Sequence, residues 1–157
     1  MKKKKEIDVI AGNRCCPLGS LTLLSRKIGK IFRCHMMKLN VTNSQVGIFM
    51  ILFHKREVVQ NKLSLMLDLD KSTISRDLVR MVDRGYLFKA NGKRSPIIGL
   101  TQKGEKLANE IYQEWEKGYA ESVKILGEDG FAALRLLEKK LLEDESAIVY
   151  TTLNKTK

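Results

Sequence analysis

Residues 70–104 read DKSTISRDLVRMVDRGYLFKANGKRSPIIGLTQKG, and a change of hydrophobic period inside this stretch decides the fold. From Lys71 to about Arg84 the residues Ile74, Leu78, Met81 and Val82 recur at i, i+4, i+7 and i+8, the spacing of one helix face. Asp70 stands where an N-cap belongs. With that stripe turned inward, the outer face presents Lys71, Ser72, Ser75, Arg76, Val79 and Arg80, with Thr73 beside them. Short hydroxyls suit phosphate oxygens, and guanidinium groups suit both phosphates and the guanine edge in the DNA major groove. After Gly85 the pattern turns to two short β-type runs, 86–90 and 95–100, on either side of Asn91-Gly92. That dipeptide favours the tight hairpin turn in which both central residues take positive φ. Lys93 and Arg94 fall at the hairpin tip, placed to reach phosphates or the adjacent minor groove.

Upstream, a short helix over about 59–67, with Leu63, Met66 and Leu67 inward, precedes the basic one, so the pair has the elements of a helix-turn-helix and the hairpin those of a wing. Before it, Thr42 followed three residues later by Gln45 is a capping box opening a helix over about 43–54. That helix is apolar nearly all round and is predicted to be buried. Leu21, Leu24, Ile28, Ile31, His35 and Leu39 mark an earlier amphipathic helix over 18–39. Downstream, Thr101 caps a helix to about 126 carrying Leu107, Ile111, Trp115, Tyr119 and Val123, and another from 128 to about 145 carries Phe131, Leu134, Leu137, Leu141 and Leu142.

With 29 Lys and Arg against 18 Asp and Glu, the 157-residue chain carries a formal charge of +11, which favours polyanionic partners. No stretch approaches the roughly 18 apolar residues of a membrane span. Lys2 to Lys5 lead into Glu6 and Asp8 rather than into a signal-peptide core, so a soluble, cytoplasmic protein is expected. Cys15, Cys16 and Cys34 form no disulfide framework or C-x-x-C pair, and with only His35 and His54 to add, no metal site is expected. Cys34, within a helical stretch, is expected to be a small core residue. Signatures of phosphate transfer, dinucleotide binding and hydrolysis are missing, no catalytic set can be assembled, and no cofactor or enzymatic activity is expected.

Ser72-Thr73-Ile74-Ser75-Arg76, Leu78, Met81, Gly85-Tyr86-Leu87, Arg94 and Leu100-Thr101-Gln102-Lys103-Gly104 together resemble the MarR (multiple antibiotic resistance regulator) family, over roughly residues 18–145. Two residues before the wing Arg that family carries Asp where this chain has Gly92. The resemblance implies a mainly α fold with a small β-hairpin wing: a winged helix-turn-helix with N- and C-terminal dimerisation helices. The expected organisation is a flexible basic arm (1–17), a dimerisation helix (18–41), the DNA-binding region (42–101), C-terminal dimerisation helices (102–146) and a flexible tail (147–157). The apolar stripes outside the winged helix are more than such a unit covers alone, and the family answers that by pairing two chains; a monomeric bundle is the alternative. A two-fold dimer would set two recognition helices roughly 34–36 Å apart and read a pseudo-palindromic operator.

The function implied is that of a sequence-specific transcriptional regulator, usually a repressor, that binds double-stranded DNA through Lys71, Ser72, Thr73, Ser75, Arg76, Arg80, Lys93 and Arg94. Two alternatives stay open: a weakly specific architectural DNA-binding protein and a winged-helix protein-interaction module. By the same resemblance, Phe32, Phe49, Phe53, Tyr112 and Trp115 are candidates for a small-molecule effector pocket, with plain core as the alternative. Cys15 and Cys16 are candidates for a redox switch, with inert thiols as the alternative.

Overall fold

The computed structural model describes residues 17–91 and 95–143. Their order is α1 (Pro17–Met36), a single 3-10 turn (Met37–Leu39), α2 (Asn43–Lys55), β1 (Glu57–Val59), α3 (Gln60–Leu67), α4 (Lys71–Asp83), β2 (Leu87–Ala90), β3 (Ile97–Leu100) and α5 (Gln102–Glu143). Contact density divides the chain into two units between Gly118 and Tyr119.

In the first unit the core is built where the helical stripes meet the sheet. Ile48, Phe49 and Leu52 of α2, Leu63 of α3, and Ile74, Leu78 and Met81 of α4 are buried with Val58, Leu87 and Ile98 of the sheet and Ala108 and Ile111 of α5. Each of the larger apolar side chains among them contributes about 1.5–3 kcal/mol by leaving water. The Thr42 capping box forms as expected: the hydroxyl accepts from the Gln45 N–H at 3.3 Å and the Gln45 amide oxygen accepts from the Thr42 N–H at 3.2 Å. The helix predicted to reach residue 39 stops at Met36 and tightens into the 3-10 turn, because Asn40 adopts the left-handed conformation (φ 48°) and turns the chain toward α2.

The sheet has three strands rather than the two of a bare hairpin, in the order β1-β3-β2, all antiparallel. Val58 faces Ile98 and Val59 faces Ile97 on one side of β3, while Lys89 and Ala90 face the same two residues on the other. Val59, expected to open a helix, therefore closes a strand, and α3 begins one residue later. Two adjacent β-branched residues fit a pleated surface better than a helix start. On α3 the stripe is also narrower than expected: Leu63 and Ser64 are buried, but Met66 is exposed. Cys34 is exposed on α1, not in the core: the buried residue of that helix is its neighbour two positions on, Met36.

The second unit is helical through Glu143 and interrupted at Gly127, where φ 65° and ψ 178° exclude residues with a side chain. The two-helix expectation for this region divides at the same residue. The Tyr119 and Phe131 rings meet edge to face at 5.6 Å.

Candidate nucleic-acid interface

The turn between α3 and α4 is three residues long. Asp68 takes a left-handed conformation (φ 49°) that ends α3, and the Leu69 N–H returns to the Ser64 carbonyl at 3.0 Å. Asp70 occupies the N-cap position of α4 but does not cap with its side chain. Its carboxylate instead accepts a hydrogen bond from the Thr73 hydroxyl at 3.0 Å. Thr73, half-buried, is thus engaged at the helix start, while Lys71, Ser72, Ser75, Arg76, Val79 and Arg80 are all exposed along α4.

Two of the basic side chains are held along the helix. Arg76 donates through Nε to the Ser72 carbonyl and through Nη2 to the Ser72 hydroxyl, both at 3.1 Å. The hydroxyl at Ser72 thereby orients a guanidinium one turn away. Arg80 lies 3.9 Å from Asp77, which is 4% exposed on the inward side of the same helix. The buried Asp77 carboxylate accepts from the Ser44 hydroxyl and from the Gln45 side-chain amide at 3.3 Å, so α4 is fastened to the start of α2 by polar bonds as well as by Ile74 and Leu78. Buried carboxylates are tolerated where such donors surround them. Asp77 was not among the residues singled out from sequence, although its place three residues after Ile74 puts it on the inward stripe.

The wing is tied to the end of α4 by the segment that carries the family resemblance. Thr101 donates its hydroxyl to the Gly85 carbonyl at 2.6 Å, with the Tyr86 carbonyl 3.2 Å away, and accepts from the Gly104 N–H at 3.0 Å. One side chain thus caps α5, as expected, and closes the turn after α4. A Cβ on Gly104 would lie 1.9 Å from the Tyr86 carbonyl oxygen, so glycine is demanded there by close backbone approach. Lys103 donates to the Arg84 carbonyl at 2.8 Å and sits 4.8 Å over the Tyr86 ring. Lys93 and Arg94 lie outside the described residues.

Of the five aromatic residues considered for an effector pocket, Phe32 and Trp115 come together, their centroids 6.0 Å apart, on a cavity of about 160 Å³ also lined by Gly29, Met36, Asn43 and Val46. Phe53 and Tyr112 stack on each other at 4.8 Å beside His54, away from that lining, and Phe49 is 1% exposed in the core. A hydrogen bond to Glu116 raises the Tyr112 pKa by favouring the protonated phenol. Close to Trp115, the Lys117 ammonium bonds Glu114 at 2.6 Å and holds that carboxyl below its usual range. Cys15 and Cys16 lie outside the described residues. Among the described residues no group of three or more His, Cys, Asp or Glu is placed to hold a metal, and no helix is long and apolar enough to cross a membrane.

A helix-turn-helix whose second helix shows a basic, hydroxylated outer face, followed by an antiparallel hairpin knotted to its end, defines the winged-helix class. The solved structures it is similar to narrow this. Ligand-free NadR superimposes with a TM-score of 0.74 at 22% identity, over 85% of this chain and 98% of that one. NadR in complex with 4-hydroxyphenylacetate gives 0.71 at 23%, over 83% and 97%. A cysteine-to-serine variant of MarR from E. coli, complexed with operator DNA, gives 0.70 at 25%, over 80% and 94%. The chain shares the fold of these solved structures, which include MarR proteins. No family model matches the sequence. A 57-residue stretch is 32% identical to riboflavin kinase of Pyrococcus abyssi, and the match spans 36% of this chain and 27% of that protein.

Proposed function

We propose that this protein is a sequence-specific transcriptional regulator, a repressor that binds a pseudo-palindromic operator as a homodimer and is released by an effector. The observation that carries this is the construction of α4. Its apolar stripe and Asp77 lock it into the core and leave Lys71, Ser72, Ser75, Arg76 and Arg80 outward on a rigid element. Lys71, Ser72 and Thr73 at its amino end position the DNA backbone, Ser75 and Arg76 read base edges, Arg80 extends the basic face, and Lys93 and Arg94 of the wing contact phosphates or the minor groove. The solved relative complexed with operator DNA supports the same use of the fold. The solved structures it is similar to include transcriptional regulators, which supports a non-enzymatic role.

Dimerisation is supported by apolar surface left uncovered in the single chain. Leu18 and Leu24 of α1 are 72% and 50% exposed, and Leu136 and Leu141 near the end of α5 are 56% and 47% exposed. Leucines exposed in series along helices are covered by pairing with another chain. For the effector, the solved structure in complex with 4-hydroxyphenylacetate supports small-molecule binding by this fold, and the Phe32 and Trp115 cavity is the site we assign to it here. An effector that prefers a spacing of the two wings unsuited to DNA would shift the population away from the bound state.

Selection of bound sequences from a random duplex library at physiological salt tests the proposal. We expect a pseudo-palindrome with half-sites about one helical turn apart, and for Arg76→Ala a loss of about 1–3 kcal/mol with relaxed preference at one position of each half-site. Binding without enrichment would instead favour an architectural role, and no binding at all a protein partner.

A further inference from the structure

Where α1 hands over to α2, a cleft of about 590 Å³ opens beside α4, and three guanidinium groups line it: Arg33 of α1, and Arg80 and Arg84 at the end of α4. Among the described residues no acidic side chain lines it, and Met36, Met37 and Val41 give it an apolar part. Among the described residues the Arg33 side chain donates to the Arg26 carbonyl and the Arg84 side chain to the Asn40 carbonyl, each at 3.5 Å, the weak end of hydrogen-bond geometry. Neither has a carboxylate partner among the described residues. Arg80 shares Asp77 at 3.9 Å, but that carboxylate is already bonded by Ser44 and Gln45. The amino end of α2, with its partial positive charge, opens on the same recess through Thr42 and Asn43. Three like charges around one recess repel one another, and an anion of matching valence relieves that. The volume lies within the range of roughly 300–1,000 Å³ usual for small-ligand sites.

We propose that this cleft binds a small polyanion, an organic phosphate ester or a di- or tricarboxylate, through Arg33, Arg80 and Arg84. Fork-shaped guanidinium groups bind phosphate and carboxylate oxygens in pairs, and the methionines and Val41 cover the carbon skeleton. The regulatory consequence rests on the DNA-binding proposal above. Arg80 also belongs to the outer face of α4, so a ligand that draws its guanidinium into the cleft withdraws it from DNA. By linkage, DNA weakens the polyanion by the same factor that the polyanion weakens DNA.

Titration calorimetry of the full chain without DNA, at physiological ionic strength, with pyrophosphate, citrate and acetate as probes, tests the site. Pyrophosphate or citrate should bind once per chain, at least tenfold more tightly than acetate. Arg33→Gln and Arg84→Gln should each weaken that binding about tenfold, the loss of one charge-assisted pair, while Arg76→Ala leaves it unchanged. Absence of saturable binding overturns the proposal. So does binding indifferent to both glutamine variants but lost in Arg76→Ala, which would place the polyanion on the DNA face. The DNA backbone offers the same phosphate chemistry. If the two glutamine variants lose DNA affinity while neither probe binds, the cleft holds a backbone phosphate and no metabolite. Polyanion binding that persists in a protein without operator selectivity would keep the site and remove the regulator.

Discussion

Asp77 shows how much one side chain decides at this interface. It stands on the buried stripe of α4, accepts bonds from two residues at the start of α2, and faces Arg80. Asp77→Ala leaves the Gln45 amide and the Ser44 hydroxyl without their partner. We expect a loss of about 2 kcal/mol in unfolding free energy, read as a lower urea midpoint at unchanged slope. Asp77→Asn, which keeps an acceptor oxygen, should lose less. The outward residues Ser72, Ser75, Arg76 and Arg80 were legible in the sequence because they follow from the apolar stripe by geometry. Asp77 was not, because an acidic residue on an apolar stripe declares itself only through its partners, and Ser44 is 33 residues away. Asp70 differs from its expected role for a related reason: it is a residue suited to an N-cap, but its carboxylate accepts from the Thr73 hydroxyl. Cys34 misled because its helix buries so little of itself in the single chain.

Among the elements, those carrying a strong local signal were the readable ones. The Thr42 capping box, the period of α4 and the break at Gly127 are all written within a few consecutive residues. The strand β1 is three residues long and exists by pairing with β3 some forty positions later in the chain, which no local pattern reports. The junction of α4, wing and α5 is an element-scale device, and Gly104 is its tightest point. Gly104→Ala forces a methyl group onto the Tyr86 carbonyl and should destabilise the fold by about 3 kcal/mol or more, seen as a thermal midpoint lowered by several degrees. Thr101→Val, which keeps the shape and removes the hydroxyl, should cost about 1–2 kcal/mol by the same measurement, because two carbonyls and the Gly104 N–H lose a shared partner.

For the whole molecule, the apolar burden of the terminal helices was visible in their stripes, and the structure leaves those leucines exposed on the single chain. For the proposed homodimer, Leu24→Glu or Leu137→Glu should shift the sedimentation coefficient from dimer toward monomer, since a carboxylate buried between the two chains carries a desolvation penalty of several kcal/mol. Operator affinity should fall in parallel, because one half-site holds about half of the phosphate contacts; the salt dependence of the remaining binding should be correspondingly shallower. The Thr101 latch has a bearing on attempts to change what such a protein reads. A recognition helix exchanged alone would arrive without the threonine, lysine and glycine of residues 101–104 that grip its last turn. A transplant that keeps 70–104 as one cassette carries its own clamp, so the new helix and its wing would be delivered to a foreign scaffold already set at a fixed angle to each other.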